Sequence, residues 1–339
     1  MNRPTLMTGK AMRICIVGAG AIGSLLGVKL AKSGQEVSFI DRGEQLAAIQ
    51  SEGLTLRMTD GSSSAIDKLN ASDNCHDLGS HDLIILALKA HQIRFVAEHL
   101  GALMSIDTVV MTVQNGLPWW YFQKHKGELN NLTLNTLDPT GSIKANIDAD
   151  RIIGCVAYAA ASVGSPGVVD HIEGSRFTLG ELNGEKSERC NLIAAMLVNA
   201  GLKSYVVEDI RAEIWLKAWG SLSFNSISAL TRATMVDICR FSDTRKLAEN
   251  MMLEAQTIAN KLGIEFRHSI AKRIAGAESV GPHKTSMLQD VEAKRELEID
   301  ALIGSILELA TLTDTPAPII ETVYACIKLL NNELKNTCV

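Results

Sequence analysis

Short apolar runs alternate with helix-period stretches through the first two hundred residues. In RICIVGAGAIG the run Ile14 to Val17 is continuous, and apolar or small residues then recur at helical spacing through Ile22, Leu25, Leu26, Val28, Leu30 and Ala31. Gly34 closes that stretch, and EVSFIDR follows as a second strand. DLIILALKAHQ from Asp82 and DTVVMTVQNG from Asp107 read as further buried parallel strands, each ending in a polar turn. From Ile152 to Leu182 the runs become short and β-like, punctuated by Gly154, Gly164, Pro166, Gly167, Gly174 and Gly180, which predicts an antiparallel extension of the sheet. A helix over about Ser187 to Ala200 and the strand-like KSYVVED come next. From about Asp209 the period is helical, with little Gly or Pro before GPHKTS. The pattern predicts an α/β chain: an N-terminal Rossmann-type doubly wound sheet over residues 12–207, then an all-helical C-terminal domain over 208–339. Residues 1–11 read as a disordered leader, with Met12 as an alternative start or the leader as a cloning remnant.

Gly18, Gly20 and Gly23 fit G-x-G-x-x-G between the first strand and the first helix. The three glycines suit a tight turn, close backbone approach to a pyrophosphate, and close packing of helix on sheet. The helix N-terminus adds free N–H groups for phosphate. A flexible turn would need none of this context, so dinucleotide binding is the better reading. At the end of the second strand Asp41 suits the ribose hydroxyls of NAD, whereas the adjacent Arg42 suits the 2′-phosphate of NADP, and spacing alone leaves the two even. Lys89, Gln92, Gln114 and Asn115 follow the ends of later strands, where ligands bind in open parallel sheets. Asn115-Gly116 serves equally as a ligand contact or as a tight turn.

The 339 residues allow two domains. A net charge of -5 offers no basic field for nucleic acid, and no apolar run reaches the roughly 18 residues of a membrane span. MNRPTLMTGKA lacks the apolar core of a signal peptide, which points to the cytoplasm. The seven cysteines are odd in number and form no CxxC pair, so neither a metal site nor a disulfide framework is expected. No clean heptad seam marks a homodimer, although the helical half could form one.

EIWLKAWGSLSFN, from Glu213 to Asn225, sets a lysine in an aromatic stretch. On a helix from about Arg211 to Leu230, Lys217, Ser221 and Asn225 fall at i, i+4 and i+8, in one polar line. A solvated stripe with Glu213 and Lys217 as a surface pair is the plain reading; the flanking Trp215 and Trp219 favour partial burial and a site. Such an ammonium can stabilise charge on a ketone oxygen and donate its proton, and desolvation makes a lysine a better acid. Farther on, Ser286 and Gln289 have the spacing of a capping box, and that hydroxyl could also seat a carboxylate. Glu298, three turns into the same predicted helix, reads as a surface charge.

Taken together, GAGAIG at Gly18, LKAHQ at Leu88, QNG at Gln114, EIWLKAWGSLSFN at Glu213 and SMLQDVEAKRELEID at Ser286 resemble the ketopantoate reductase (2-dehydropantoate 2-reductase) family, in order and spacing, from Met12 to about Leu330. The resemblance implies an active site between a Rossmann and a helical domain, and NADPH-dependent reduction of the 2-oxo acid 2-dehydropantoate to pantoate, in pantothenate and coenzyme A biosynthesis. It implies Lys217 as proton donor, and Asn115, Ser221, Asn225 and Ser286 at substrate positions beside the lysine. Gly18, Ala19, Gly20, Ala21, Ile22, Gly23, Arg42, Lys89, Asn115, Ala160 and Glu298 fall at cofactor positions. It favours NADP over NAD through Arg42 and overturns the surface reading of Glu298.

Four positions depart from the family's usual residues. Ser221 stands where an asparagine is common, Ser226 where the family has proline, Met235 near a further asparagine, and Ile303-Gly304 where Asn-Gly is usual. They leave open a reductase of another branched 2-oxo acid. A catalytically silent NADP(H)-binding sensor is the third reading.

Overall fold

The computed structural model describes residues 11–336. The leader expected over residues 1–11 lies outside them except for Ala11, as does Cys338. The chain forms two compact units: Met1–Gln114, Phe122–Thr133 and Thr140–Ile210 make the first, and Asn115–Tyr121, Leu134–Pro139 and Arg211–Val339 the second.

The first unit is built on a ten-stranded sheet. Its strands are β1 (Arg13–Val17), β2 (Glu36–Ile40), β3 (Leu54–Arg57), β4 (Ser63–Ile66), β5 (Asn70–Ser72), β6 (His81–Leu86), β7 (Met104–Thr112), β8 (Ile152–Ser165), β9 (Val168–Glu181) and β10 (Lys203–Val206). They lie in the order β4-β3-β9-β8-β7-β6-β1-β2-β5, with β10 beside β9. Pairing is parallel except at β8/β9 and β3/β4. The central strands are buried on both faces, which is why they read as unbroken Ile, Leu and Val rather than alternating. Helix Ala21–Lys32 lays Leu25, Leu26, Val28 and Leu30 into the same core as Ile14, Phe39, Leu83 and Met111.

One buried ion pair ties the end of this sheet to helix Glu188–Asn199. Arg189 donates through Nε and Nη2 to the two oxygens of Glu181, both at 2.7 Å. Ser187 caps the helix by accepting from the Cys190 N–H at 3.1 Å, and its hydroxyl donates to Glu181. Arg189 also donates to the Asp150 carbonyl at 2.5 Å, next to the start of β8.

The second unit is helical: Ile210–Thr231, which crosses into it at Arg211, then Met235–Arg240, Ser242–Lys261, Ile270–Ser279, Ser286–Glu292, Ser305–Leu312 and Pro318–Asn336. Trp215 and Trp219 are fully buried with their polar atoms satisfied. Trp215 Nε1 donates to the Tyr121 hydroxyl and Trp219 Nε1 to the Met252 carbonyl, both at 2.6 Å. The single helix expected from Ser286 to Glu298 does not form. It stops at Glu292, Lys294 takes φ 54°, and residues 295–298 have no regular secondary structure. Asp290 holds this exit, its carbonyl accepting from the Arg295 N–H at 2.8 Å and its carboxylate from Arg295 Nε at 2.9 Å. A π-helical turn, Asp300–Gly304, then leads into Ser305–Leu312.

Among the described residues no helix is long and apolar enough to cross a membrane. Replacing Glu181 with Ala leaves the Arg189 charge buried and unpaired, so the substitution should cost about 3–5 kcal/mol in stability. Denaturant unfolding of the two proteins side by side measures it, and a cost below about 1 kcal/mol would show that the pair does not anchor the sheet.

Candidate functional site

In the first unit the glycine loop and the end of β2 come together. Gly18 has φ 101°, outside the range L side chains favour, and its N–H donates to the Ile40 carbonyl at 2.8 Å. A Cβ at Gly23 would collide with the Gly18 carbonyl and crowd Ala87, so the third glycine lets the helix close on the loop. Gly20 is different. Space around its Cα is open to 4 Å, it sits at the helix N-cap, and neither a side-chain cap nor an acidic residue occupies the first turn. Ala19, Ala21 and Ile22 complete this N-terminal turn. The loop therefore offers uncapped N–H groups and a positive dipole end beside open space, which suits a pyrophosphate.

Asp41 clamps the loop. One carboxylate oxygen accepts from the Ala19 N–H at 2.5 Å and the other from the Arg42 N–H at 2.7 Å. Burial raises its pKa above the ordinary carboxylate value, against the opposing pull of those two N–H groups and of the Arg42 charge. Arg42 is exposed at the strand end. Gln45, which local pattern does not single out, reaches the Ala19 carbonyl at 2.9 Å while its own oxygen accepts from the Gly167 N–H at 3.0 Å. Its partners are 26 and 122 residues away, so periodicity carries no sign of it. Lys89 follows β6, the strand next to β1, and its N–H donates to Gln92 Oε1 at 3.1 Å. Ala160 stands apart from the loop, on β8, three strands from β1, where the pairing with β9 slips on either side.

The second unit brings Lys217, Asn115 and Glu298 into one chain of hydrogen bonds. Lys217 Nζ donates to Asn115 Oδ1 at 2.6 Å, and Asn115 Nδ2 donates to Glu298 Oε2 at 3.4 Å. An ammonium can only donate and a carboxylate can only accept, so the two partners fix which way the amide faces. The loop carrying Asn115 is held as well. Leu117 donates its N–H to the Ala301 carbonyl in the π-helical turn at 2.9 Å. Between them Gly116 takes φ 77°, and a Cβ there would run into the same carbonyl.

Helix Ile210–Thr231 follows the expected limits within a residue. From Ala218 to Ala229 all its residues are buried except Ser221 and Asn225, which with Lys217 are half-buried. Among the described residues the Ser221 hydroxyl and the Asn225 amide carry no hydrogen bond. Glu213 and Lys217 do not sit as solvated surface charges: Glu213 is buried and binds Arg267, while Lys217 is half-buried and turns to Asn115. The capping box at Ser286 does not form either. Thr285 is the N-cap, accepting from the Leu288 N–H at 3.2 Å, and Ser286 is exposed one residue later. Ser226 is buried and donates to the Leu222 carbonyl at 2.6 Å, so this departure lies inside the helix packing rather than on the polar row. Met235 is half-buried at the start of helix Met235–Arg240. Among the described residues no cluster of His, Cys, Asp or Glu could hold a metal ion.

A half-buried ammonium aimed by an amide, beside a row of uncommitted polar groups, can stabilise and protonate an oxygen that gains charge. Both units are similar to known proteins. Residues 14–119 match the family model described as ketopantoate reductase PanE/ApbA, and residues 209–331 match the model for its C-terminal domain. The chain is 48% identical to a 2-dehydropantoate 2-reductase of Mesorhizobium japonicum over 94% of its own length and 98% of the relative's. A Ralstonia solanacearum protein assigned as a ketopantoate reductase superposes with a TM-score of 0.91 at 36% identity, covering 96% of this chain and 99% of that one. The 2-dehydropantoate 2-reductase of Geobacter metallireducens does so with a TM-score of 0.82 at 27% identity, over 95% and 99%.

Gly116→Ala should displace the Asn115 loop, because a left-handed backbone alone costs an alanine about 1–2 kcal/mol before the collision with Ala301 is counted. Chemical unfolding is expected to report at least that loss. An unchanged midpoint would mean the loop is not held as described.

Proposed function

The chain belongs to the ketopantoate reductase family, and from that premise we propose that it reduces 2-dehydropantoate to pantoate with NADPH, a step of pantothenate biosynthesis. The observation that carries the reading is the Lys217–Asn115 hydrogen bond. Reduction of the C2 ketone adds a hydride at carbon and a proton at oxygen. Bound NADPH supplies the hydride; the rest is work for the protein. Lys217 stabilises the charge building on the ketone oxygen and gives it the proton. Asn115 aims that ammonium, and Glu298 holds Asn115. Ser221 and Asn225, on the same row as the lysine, orient the substrate, and Ser286 offers a hydroxyl to its carboxylate end.

On the cofactor side, the residues Gly18 to Gly23 suit the pyrophosphate, with Lys89, Ala160, Asn115 and Glu298 as further contacts. NADP rather than NAD is supported by the division of labour at the end of β2. Both oxygens of Asp41 already accept backbone N–H groups, whereas Arg42 is exposed and extends a charge suited to a 2′-phosphate. A second reading keeps the chemistry and changes the acyl group. It is favoured by the short Ser221 and by Met235, a half-buried apolar side chain.

The test is NADPH oxidation by the purified protein with 2-dehydropantoate, beside NADH and a panel of branched 2-oxo acids. Turnover is expected with 2-dehydropantoate and NADPH; turnover only on another acid would establish the second reading. Tight NADPH binding with silence on every acid would instead make the protein a sensor. Lys217→Ala should lower kcat by about 10²–10⁴-fold while NADPH affinity stays nearly constant. Arg42→Ala should raise the KM for NADPH and leave that for NADH little changed. A Lys217→Ala enzyme that keeps most of its turnover sinks the assignment of the proton donor.

A further inference from the structure

The π-helical turn Asp300–Gly304 takes one backbone carbonyl out of the usual helix pattern. In a regular α-helix the Ser305 N–H would meet the carbonyl four residues back, that of Ala301. Here it bonds to the Asp300 carbonyl, five residues back. The Ala301 carbonyl, passed over in this way, accepts the Leu117 N–H and the Ser305 hydroxyl, both at 2.9 Å. Leu117 lies two residues after Asn115, and a Cβ on the intervening Gly116 would strike the same carbonyl. Glu298, which accepts from Asn115 Nδ2, lies two residues before the turn. The wide turn therefore supplies one end of the tether that sets where the Asn115 amide stands, and that amide accepts from Lys217.

Such turns are rare inside helices and concentrate at functional sites. A side chain ties this one down. Tyr324, on helix Pro318–Asn336, donates its hydroxyl to Asp300 Oδ1 at 2.7 Å. Burial first, and then the Asp300 hydrogen bond and charge, raise the pKa of that hydroxyl, so it keeps its proton and stays a donor. Lys328, one turn along the same helix, sets its Nζ 5.2 Å from the centre of the tyrosine ring. The far end of the turn is shaped to the hydroxyl. At Gly304 a Cβ would stand 2.8 Å from the Tyr324 oxygen and 3.0 Å from Thr136 Cγ2. Thr136 cannot easily yield, because its N–H and that of Asn135 donate to the two oxygens of Glu308 at 2.9 and 2.7 Å. Asp300 is exposed, so water would satisfy its carboxylate without the tyrosine. What the tyrosine adds is a fixed position for the turn. Every residue in this series of contacts, from Tyr324 to Lys217, belongs to the second unit.

We propose that Tyr324 is a positioning residue for the reduction: through Asp300 it holds the π-helical turn whose Ala301 carbonyl fixes the Asn115 loop, and so it sets the aim of Lys217. The inference rests on the reductase reading and adds to it a residue that acts only through others. Lys217 keeps the proton transfer, and Asn115 keeps its contact with the ammonium.

The experiment compares wild type with Tyr324→Phe, Asp300→Ala, Asp300→Asn and the double variant Tyr324→Phe/Asp300→Ala. Turnover of 2-dehydropantoate is measured per NADPH-binding site, counted by fluorescence titration, so that a misfolded fraction drops out. Hydrogen exchange of the Leu117 amide is followed by NMR alongside. Tyr324→Phe should lower kcat per site about tenfold, inside the roughly 100-fold that a 1 Å misplacement can cost, and change the KM for the acid much less. The Leu117 amide should exchange faster, by up to about tenfold for one lost hydrogen bond. Asp300→Ala should do the same. The double variant should be no worse than either single one, because both remove one tie. Asp300→Asn keeps an acceptor oxygen and should retain most of the wild-type turnover and protection. Wild-type turnover per site in Tyr324→Phe would overturn the proposal, as would a loss confined to the number of binding sites, or single losses that simply add. Should wild type fail to reduce 2-dehydropantoate, the reductase reading falls, yet the Leu117 amide still decides the tie. Faster exchange in both Tyr324→Phe and Asp300→Ala upholds it, and unchanged exchange overturns it.

Discussion

A lysine half-buried on a helix of tryptophans must have an acceptor, or the cost of desolvating it is not offset. That requirement organises the second unit. Asn115 is the acceptor for Lys217, yet the two are 102 residues apart, and Glu298, which holds the amide from its other side, is 183 residues from Asn115. The chain meets the requirement by giving the segment Asn115–Tyr121 to the helical unit, although β7 of the first unit precedes it by only a few residues. Leu117 fastens that segment to the π-helical turn, and Tyr121 takes the indole N–H of Trp215. The tryptophans that bury the helix and the amide that directs its lysine therefore depend on the same seven residues.

The first unit solves a related problem with the opposite charge. Asp41 is buried enough that its carboxylate is harder to ionise, and two backbone N–H groups compensate. In doing so it fixes the distance between the glycine loop and the end of β2. Gln45 adds a second tie from the loop to the turn between β8 and β9. The acid that simple pattern assigns to a ribose thus has a structural task before any ligand arrives. That leaves the neighbouring arginine as the group whose side chain faces outward.

Much of this was legible in the residues because it depends on local period. The β1–helix–β2 unit, the antiparallel β8/β9 pair, the helix after Ser187 and the long helix from Ile210 all follow from apolar spacing and punctuation. The glycine motif carried its own context. What failed was partner choice. Glu213 and Lys217 have the right spacing for a surface pair, but Glu213 is buried against the exposed Arg267 and Lys217 bonds a distant amide. Ser286 and Gln289 have the letters of a capping box, but Thr285 begins the helix. Glu298 was placed on a helical face because EAKRELEID has helical propensity throughout. The Asp290–Arg295 contacts end the helix before it, and its carboxylate lies against Asn115 from a segment without regular secondary structure. Long-range contacts decided the partners of Glu213, Lys217 and Glu298, whereas local ones set the helix start at Thr285 and its end at Glu292.

The serines of the long helix show how a polar row can be recognised as more than composition. Ser223 donates to the carbonyls of Trp219 and Gly220, Ser226 to that of Leu222, and Ser228 to that of Ala233. Each is buried and satisfied by nearby backbone, the usual fate of a serine inside a helix. Ser221 is neither. It shares its half-buried line with Lys217 and Asn225 and carries no bond to another described residue. Four serines within eight positions thus divide by burial and hydrogen bonding into three that close the helix on itself and one that faces outward. The one left over lies one helical turn from the lysine, on the same line. A solvated surface stripe would be exposed along its length, whereas Lys217, Ser221 and Asn225 are half-buried among buried neighbours, and that is the physical reason the proposed substrate contacts fall on this face.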